Sequence, residues 1–134
     1  MKKATTLLLV FCVLTVQSQE FSRKDSLRGN LTPLRTCYDV TFYDLFVMVD
    51  EQELSLEQSY NIIHFTATTN FQQLQIDLAL NMEVQKVDFE DAELEFSREF
   101  DAVYIDFKRI IKKGEQALIK VWYGGYPREA VNPP

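Results

Sequence analysis

The chain has 134 residues, of which 46% are hydrophobic and 25% charged, a balance typical of a globular protein rather than a disordered one. Its 14 basic and 20 acidic side chains give a formal net charge of −6 at pH 7, which disfavours nucleic acid as a partner. Two cysteines and one histidine are too few for a disulfide scaffold or for most metal-hydrolase centres.

The first 18 residues have the layout of a secretory signal peptide. Lys2 and Lys3 form a short positive region, and an apolar stretch at 7–16 leads to an acceptable cleavage site. The stretch is too short for a membrane span, which needs about 20 apolar residues. Cleavage removes two lysines and Cys12, so 116 residues remain and the charge of −6 becomes −8. We therefore expect a secreted or periplasmic protein with no membrane span after cleavage.

The mature chain divides into three parts. Residues 19–36 form a polar lead-in segment that we expect to become ordered near Leu34. Residues 37–127 carry strand patterns and form the predicted β-domain, and 128–134 form a C-terminal tail. Cys37 has no cysteine partner in the mature chain, and the pattern favours a buried, inert cysteine in a strand over a reactive thiol.

Apolar and polar residues alternate along the β-domain in seven or eight segments about ten residues apart. In the first segment the apolar positions shift by one residue, which predicts a β-bulge or a bend around Tyr43-Asp44. In the second, at 54–66, Tyr60, Ile62 and His64 are in phase, whereas Ile63 and Phe65 lie on the opposite face. The other predicted strands lie near 74–80, 84–89, 94–96, 103–107 and 117–123. The pattern favours an all-β fold, either an antiparallel sandwich or a saddle-like curved sheet.

The titratable residues give little support for catalysis or metal binding. His64 is the only side chain with an ordinary pKa near neutrality, but the spacing offers it no catalytic partner, so a structural role is favoured. An acidic cluster lacks the glycine and the ligand spacing of an EF-hand loop, so a solvated hairpin is favoured over a calcium site. This cluster consists of Asp88, Glu90, Asp91, Glu93 and Glu95.

Three surface groups offer possible binding sites. The basic residues around Ile110 are more typical of edge-strand protection than of a binding patch. A C-terminal aromatic group suggests sugar stacking, although aromatics near a strand end usually belong to the core or its rim. The tripeptide Asn30-Leu31-Thr32 is a glycosylation sequon, which matters only in a eukaryotic secretory pathway. The basic group is Lys108, Arg109, Lys112 and Lys113, and the aromatic group is Trp122, Tyr123 and Tyr126.

The sequence contains no zinc-binding HExxH motif, nucleophile elbow, phosphate-binding glycine loop or cysteine pair. We therefore predict no catalytic, metal-binding or cofactor-binding residue and no cofactor in this chain. The residues alone indicate an acidic, secreted, all-β domain.

Three segments share their patterns and their order with a known family. Residues 38–50 match Y-D-V-x-x-Y-x-L-x-V-x-V-D, residues 74–78 match L-x-I-D-L, and residues 117–127 match I-x-V-x-Y-x-G-x-P. In these patterns the chain from position 27 onward resembles the start of the N-terminal domain of the M1-family zinc aminopeptidases. This family includes aminopeptidase N and leukotriene A4 hydrolase, and the resemblance is to its secreted bacterial members. The family often has a glycine early in the second strand, where this chain has Glu57-Gln58-Ser59.

The resemblance implies a saddle-shaped β-domain that packs against a zinc peptidase domain and helps to close its substrate cleft. The family's substrate-binding glutamine, glycine-rich loop and zinc-binding helix lie beyond the matched part, so zinc is expected only in the missing catalytic domain. The implied function is that of a truncated or split, non-catalytic domain whose partner is an M1-type catalytic domain or a downstream chain. Its open sheet edge implies possible self-association. The alternative function is an independent secreted β-sandwich that binds peptides or glycans.

Overall fold

The computed structural model describes residues 22–128, most of which form β-strands. The predicted signal peptide, and all but the first residue of the predicted tail, lie outside the described residues. Two helices, α1 (Arg23–Gly29) and α2 (Pro33–Thr36), precede the strands, and neither is long and apolar enough to cross a membrane. The strands are β1 (Tyr38–Phe46), β2 (Val49–Asp50), β3 (Ser55–Ala67), β4 (Phe71–Asp77), β5 (Met82–Phe89), β6 (Ala92–Glu93), β7 (Glu95–Glu99), β8 (Ala102–Ile111) and β9 (Gln116–Gly125).

The strands form two antiparallel sheets. The larger sheet has the order β1-β3-β9-β5-β6, with β2 paired to β3, and the smaller sheet has the order β4-β8-β7. The predicted all-β, sandwich-like fold is therefore confirmed. Between residues 22 and 128 there are nine strands rather than seven or eight, because the two-residue strands β2 and β6 are too short to show an alternating pattern.

The core lies between the inner faces of the two sheets and centres on one phenylalanine. Phe107 of β8 is 2% exposed. Its ring makes edge-to-face contacts with Phe65 of the larger sheet, with Phe71 and with Phe89, at centroid distances of 6.5, 5.6 and 5.0 Å. Such aromatic pairs add to the stabilisation from apolar burial. These contacts join β3, β4, β5 and β8, so Phe107 links the two sheets.

The bulge in β1 lies at Thr41, before Tyr43-Asp44, around which a bulge or bend was predicted, so the predicted position is wrong. The register with β3 shifts between Val40 and Phe42, and the Thr41 hydroxyl donates a hydrogen bond to the carbonyl oxygen of His64 at 3.3 Å. Because Phe42 is apolar, the alternation in the sequence continues past the bulge and conceals it. Phe42 in fact lies on the outer face of the sheet, opposite the inner face on which Val40 lies.

The predicted assignment of the β3 side chains to two opposite faces is confirmed, but the two faces are buried to different extents. Ile63 and Phe65 are 6% and 1% exposed and face the smaller sheet. Tyr60, Ile62 and His64 lie on the outer face and are half-buried. Aromatic neighbours on the same sheet partly cover the outer face: Phe46 stacks on Tyr60, for example, with ring centroids 5.0 Å apart.

The backbone of β3 is irregular where the family often has a glycine. The register with β9 shifts between Leu56 and Ser59, and Gln58 between them has a φ of 49°. A left-handed backbone favours glycine because a side chain adds steric strain there. The chain therefore keeps a bend at this position with a glutamine in a conformation that a glycine would adopt more easily.

The lead-in segment becomes ordered earlier than Leu34, the predicted position. Helix α1 begins at Arg23, after a capping box in which the Ser22 and Asp25 side chains each bond the other's backbone N–H. Leu27 of this helix is 7% exposed and belongs to the buried apolar residues. A helix of seven residues is too short to show a clear 3.6-residue period, which explains why the pattern did not reveal it.

Asp101 fastens helix α1 to the sandwich. Its carboxylate accepts hydrogen bonds from Arg28 Nε at 2.7 Å and from the Leu80 backbone N–H at 2.9 Å. Burial opposes ionisation of this carboxyl group, but the bond and charge of Arg28 and the Leu80 N–H outweigh it and lower the pKa. The Asp101 carboxylate is therefore stabilised in the folded state.

We expect Asp101→Asn to lower the free energy of unfolding by about 1–3 kcal/mol at pH 7, because charged hydrogen bonds are lost. A carboxyl pKa that is lowered by folding contributes stability above its unfolded value of about 3.9, and this contribution disappears as pH falls through the folded pKa. The difference between wild type and variant should thus be constant above about pH 5 and shrink below pH 4. Urea titrations across this range measure it, and an unchanged difference at pH 2.5 would contradict the assignment.

Candidate interaction surface

The most exposed apolar part of the described chain is the edge of the larger sheet that β1 forms. Among the strands between residues 22 and 128, β1 is terminal in its sheet and pairs only with β3. Seven of the eight residues at 42–49 are large apolar side chains with 41–60% of their surface exposed. They are Phe42, Tyr43, Leu45, Phe46, Val47, Met48 and Val49. A continuous exposed patch of this kind marks interaction surfaces in soluble proteins.

Both faces of β1 contribute to this patch. On the outer face, Phe42 contacts the His64 ring edge-on at a centroid distance of 5.5 Å, and Phe46 stacks on its β3 neighbour. On the inner face, Tyr43 is paired in register with Ile63, and Leu45 with the next inward position of β3. Tyr43 and Leu45 remain 56% and 59% exposed, so the smaller sheet does not cover this end of the inner face.

A groove of about 770 Å³ runs along the uncovered inner face. Its lining includes Val40, Tyr43, Leu45, Ile63, Val121 and Tyr123 from the larger sheet, and Arg35, Gln75, Asp77 and Leu78 from α2, β4 and the residue that follows it. Arg35 and Asp77 form an ion pair at 2.5 Å, so their charges compensate each other in this wall of the groove. The groove is therefore mainly an apolar surface with paired polar groups at one side.

Two buried polar atoms in the groove lining lack hydrogen-bond partners among the described residues. They are Nε of Arg35 and Oδ1 of Asn61. Tyr38, which also lines the groove, has its hydroxyl satisfied because it donates to the Gln75 carbonyl oxygen at 2.7 Å. Burial raises the pKa of Tyr38 to about 12, so its hydroxyl stays protonated as a donor at neutral pH.

The surface around β1 is acidic. Residues 36–85 contain no lysine, arginine or proline. Asp39 and Asp44 are exposed on β1, and four more carboxylates lie between the end of β1 and the first residues of β3. These four are Asp50, Glu51, Glu53 and Glu57. The apolar edge therefore has a negative rim with no positive charge in its own segment.

The remaining sequence candidates lie at other places in the fold. His64 is half-buried on the outer face beside Phe42. Cys37 is 3% exposed, as predicted, but it caps α2 and precedes β1 rather than lying within a strand. Burial raises the pKa of its thiol, which disfavours the thiolate. Asn30 of the sequon caps the C-terminus of α1 and is exposed.

Two of the charged candidates have their charges paired within the fold. Asp88 accepts a hydrogen bond from Trp122 Nε1 and pairs with Lys86, both at 2.8 Å. Arg109 bridges Glu90 and Glu115 at 2.7 Å each. Its strand β8 lies between β4 and β7, but β7 pairs only with residues 102–106 of β8, so Lys108 and Arg109 lie on a stretch without a β7 partner and the interpretation of the basic group as edge-strand protection stays a prediction. Between residues 22 and 128, no three histidine, cysteine, aspartate or glutamate side chains form a metal-binding group.

The C-terminal aromatics do not form one sugar-stacking platform. Trp122 lies on the outer face, paired with Tyr60 in register and in edge-to-face contact at 5.0 Å. Tyr123, the next residue in the strand, lines the inner-face groove, and Tyr126 is exposed beyond the end of β9. The Lys120 ammonium lies over both outer-face rings, at 3.6 and 3.9 Å from their centroids. The chain's own cation thus occupies this aromatic pair.

Comparison with known proteins connects this fold to one group of enzymes. No family model and no curated protein matches the chain. Among solved structures, it is similar to the M1 zinc metallopeptidase from Deinococcus radiodurans, with a TM-score of 0.61 and 19% identity over 70% of this chain and 22% of that one. A variant from the same organism, bound to a Tyr-Ser-Ala substrate, gives a TM-score of 0.59 at 19% identity over 69% and 21% of the two chains.

A third similar structure is a two-domain M1 zinc metallopeptidase variant bound to L-tryptophan. Its TM-score is 0.61 at 19% identity, over 74% of this chain and 23% of that chain. At this level of identity the similarity establishes the fold, and this chain spans about a fifth of the length of these metallopeptidases. The fold implied by the three sequence patterns is therefore confirmed: the chain has an M1 N-terminal-domain-like fold.

Proposed function

We propose that this chain is a non-catalytic N-terminal β-domain of the M1 metallopeptidase type, in a truncated or split form that scaffolds a peptidase domain and its substrate cleft. The main support is the similarity of fold to M1 zinc metallopeptidases over about 70% of this chain. The order of the three sequence patterns supports the same assignment independently of the structure.

In this proposal zinc belongs to the peptidase part. The described residues do not offer a set of zinc ligands, and the sequence has no HExxH motif, so we derive no catalytic step from this chain. Its own contribution is structural: a rigid sandwich that presents the apolar edge and the groove. The residues at 42–49 are exposed to an extent more typical of a surface that meets a partner than of a free one.

The proposal also assigns a compartment and a partner. A signal peptide at 1–18 would direct the chain to the periplasm or the exterior. The partner would be an M1-type catalytic domain, supplied either by a downstream chain or by a separate polypeptide. Neither assignment depends on the nature of the peptide substrate.

The native mass of the protein in its source cell tests this function. An antibody against residues 40–120 should detect a chain several-fold larger than the 15.7 kDa of this sequence, or a small chain that co-purifies with a zinc-dependent aminopeptidase activity. Purified residues 19–134 serve as the size marker and should not hydrolyse aminoacyl amides. A small, monodisperse chain that melts cooperatively and has no peptidase partner would support the alternative, an independent binding module.

A further inference from the structure

We propose that the free edge of β1 receives an extra β-strand from a partner polypeptide, and that this strand is apolar on both faces and carries lysine or arginine. In this mode the main chain of the added strand hydrogen-bonds to the sheet edge, while its side chains determine specificity. The inference holds for any partner that supplies such a strand. Its test uses this chain alone, so its failure would leave the proposed function standing.

The first step of the argument is the unprotected backbone of β1. The strand has nine residues and, within residues 22–128, pairs on one side only, so its other side presents main-chain N–H and C=O groups that no described strand pairs. Sheet edges are commonly protected by lysine, proline, a bulge or short length. β1 is long, its segment has no lysine or proline, and its bulge at Thr41 leaves five regular residues beyond it. This edge is therefore suited to pairing.

The second step is the apolar character of both faces of β1. A strand added beside it would place side chains next to Phe42 and Phe46 on the outer face and next to Tyr43 and Leu45 on the inner face. These four side chains are 41–60% exposed and would lose contact with water. On the inner face the added strand would also widen the floor of the groove. The partner strand therefore needs apolar residues on both of its faces.

The third step is charge, which distinguishes a partner from a second copy of this chain. Asp39 and Asp44 lie on β1, and four further carboxylates lie in the connection and the first residues of β3, with no basic residue between positions 36 and 85. Pairing two copies of β1 would bring two acidic strands together, and like charges opposite one another destabilise a sheet. A strand with lysine or arginine would instead complement the acidic rim and associate faster.

Fluorescence anisotropy with a defined peptide tests this inference. The probe is a terminally blocked, fluorophore-labelled nonapeptide that combines valine and isoleucine with two lysines, and the receptor is the mature chain. We expect saturable binding that weakens as salt rises from 0.05 to 0.5 M, because salt screens the charge attraction. A version of the peptide with glutamate in place of lysine should bind at least fivefold more weakly.

Two matched variants locate the site. Asp44→Lys should weaken binding of the lysine peptide about fivefold, because it turns an attraction at the surface into a repulsion. Asp91→Lys makes the same change in net charge in the β5–β6 turn, at the far edge of the sheet, and should bind like wild type. Leu45→Lys is a second variant at the edge; since Leu45 is 59% exposed, it should fold normally and also bind more weakly.

Backbone pairing is tested separately by N-methylation. Two peptides are methylated at alternate residues, each on one of the two edges of the strand. Only the edge that faces β1 loses its donors, so one peptide should lose at least tenfold in affinity while the other keeps it. Equal binding of both methylated peptides, or equal weakening by Asp44→Lys and Asp91→Lys, would overturn the proposal. So would a dimer in sedimentation that the peptide does not dissociate, since the occupant would then be a second copy.

Discussion

Phe107→Ala is expected to lower the free energy of unfolding by about 3–5 kcal/mol, the largest effect of any single substitution considered for this domain. The Phe107 side chain is 2% exposed and contacts three other phenylalanine rings from both sheets. Alanine removes these contacts and leaves a cavity between sheets that cannot fully close. For a domain of this size, about 1 kcal/mol corresponds to 4–8 °C in Tm, so the melting temperature should fall by more than 10 °C.

Two controls separate the cavity from the simple loss of an aromatic ring. Tyr126→Ala removes a ring that is 64% exposed and should change the free energy of unfolding by less than about 0.5 kcal/mol. Phe107→Leu fills part of the space and should lie between wild type and the alanine variant. Urea denaturation followed by circular dichroism measures all three. Equal stability of Phe107→Ala and Tyr126→Ala would show that the rings around Phe107 do not form the centre of the core.

The strands could be predicted from the sequence because their burial alternates along the chain. The positions 74, 103 and 105 illustrate this: Leu74, Val103 and Ile105 are 0% exposed and lie in segments with a two-residue apolar period. At the Thr41 bulge the strand changes face, but apolar residues still occupy every second position of the sequence. The predicted position of the bulge was therefore wrong by a few residues. Short elements such as α1 escaped detection because seven residues show too little of a helical period.

The interaction surface was harder to predict than the fold. The apolar residues of the first strand look like a core-facing strand, because a sequence reports polarity but not the presence of a covering element. The structure shows that nothing within residues 22–128 covers Tyr43 and Leu45 completely. By contrast, strand parity alone separates Trp122 from Tyr123, since neighbouring residues in a strand point to opposite faces. The sugar-stacking platform could therefore have been rejected from the sequence.

The larger sheet combines an exposed edge strand, β1, with a neighbouring strand, β3, whose inner face is buried in the core. β3 lies between β1 and β9 and packs Ile63 and Phe65 into the core, so it holds β1 in position even without a strand on the free side. Like charge among the acidic residues around β1 would oppose the pairing of two copies along this edge, as the inference above requires. Together these features let the domain remain folded while its edge is available to a strand of complementary charge.

Arg98→Ala is expected to lower the free energy of unfolding by about 3 kcal/mol, the second largest effect, although Arg98 belongs to no ion pair among the described residues. Its guanidinium group donates hydrogen bonds to four backbone carbonyl oxygens, those of Leu78, Ala79, Met82 and Phe100. Leu78 and Ala79 belong to the connection between β4 in the smaller sheet and β5 in the larger one, and Met82 is the first residue of β5. Alanine leaves these carbonyls without their donor, and hydrogen bonds to a charged group contribute more than neutral ones.

Arg23→Ala is the matched control for Arg98→Ala, because it removes the same charge. Arg23 makes a two-bond ion pair with Glu99, but its side chain is 65% exposed, so its loss should change stability far less than the loss of Arg98. Amide hydrogen exchange gives a second readout: in Arg98→Ala, residues 78–82 should exchange faster than the centre of β3. If both variants were equally stable, or if exchange rose uniformly, Arg98 would not be the residue that fastens this connection between the sheets.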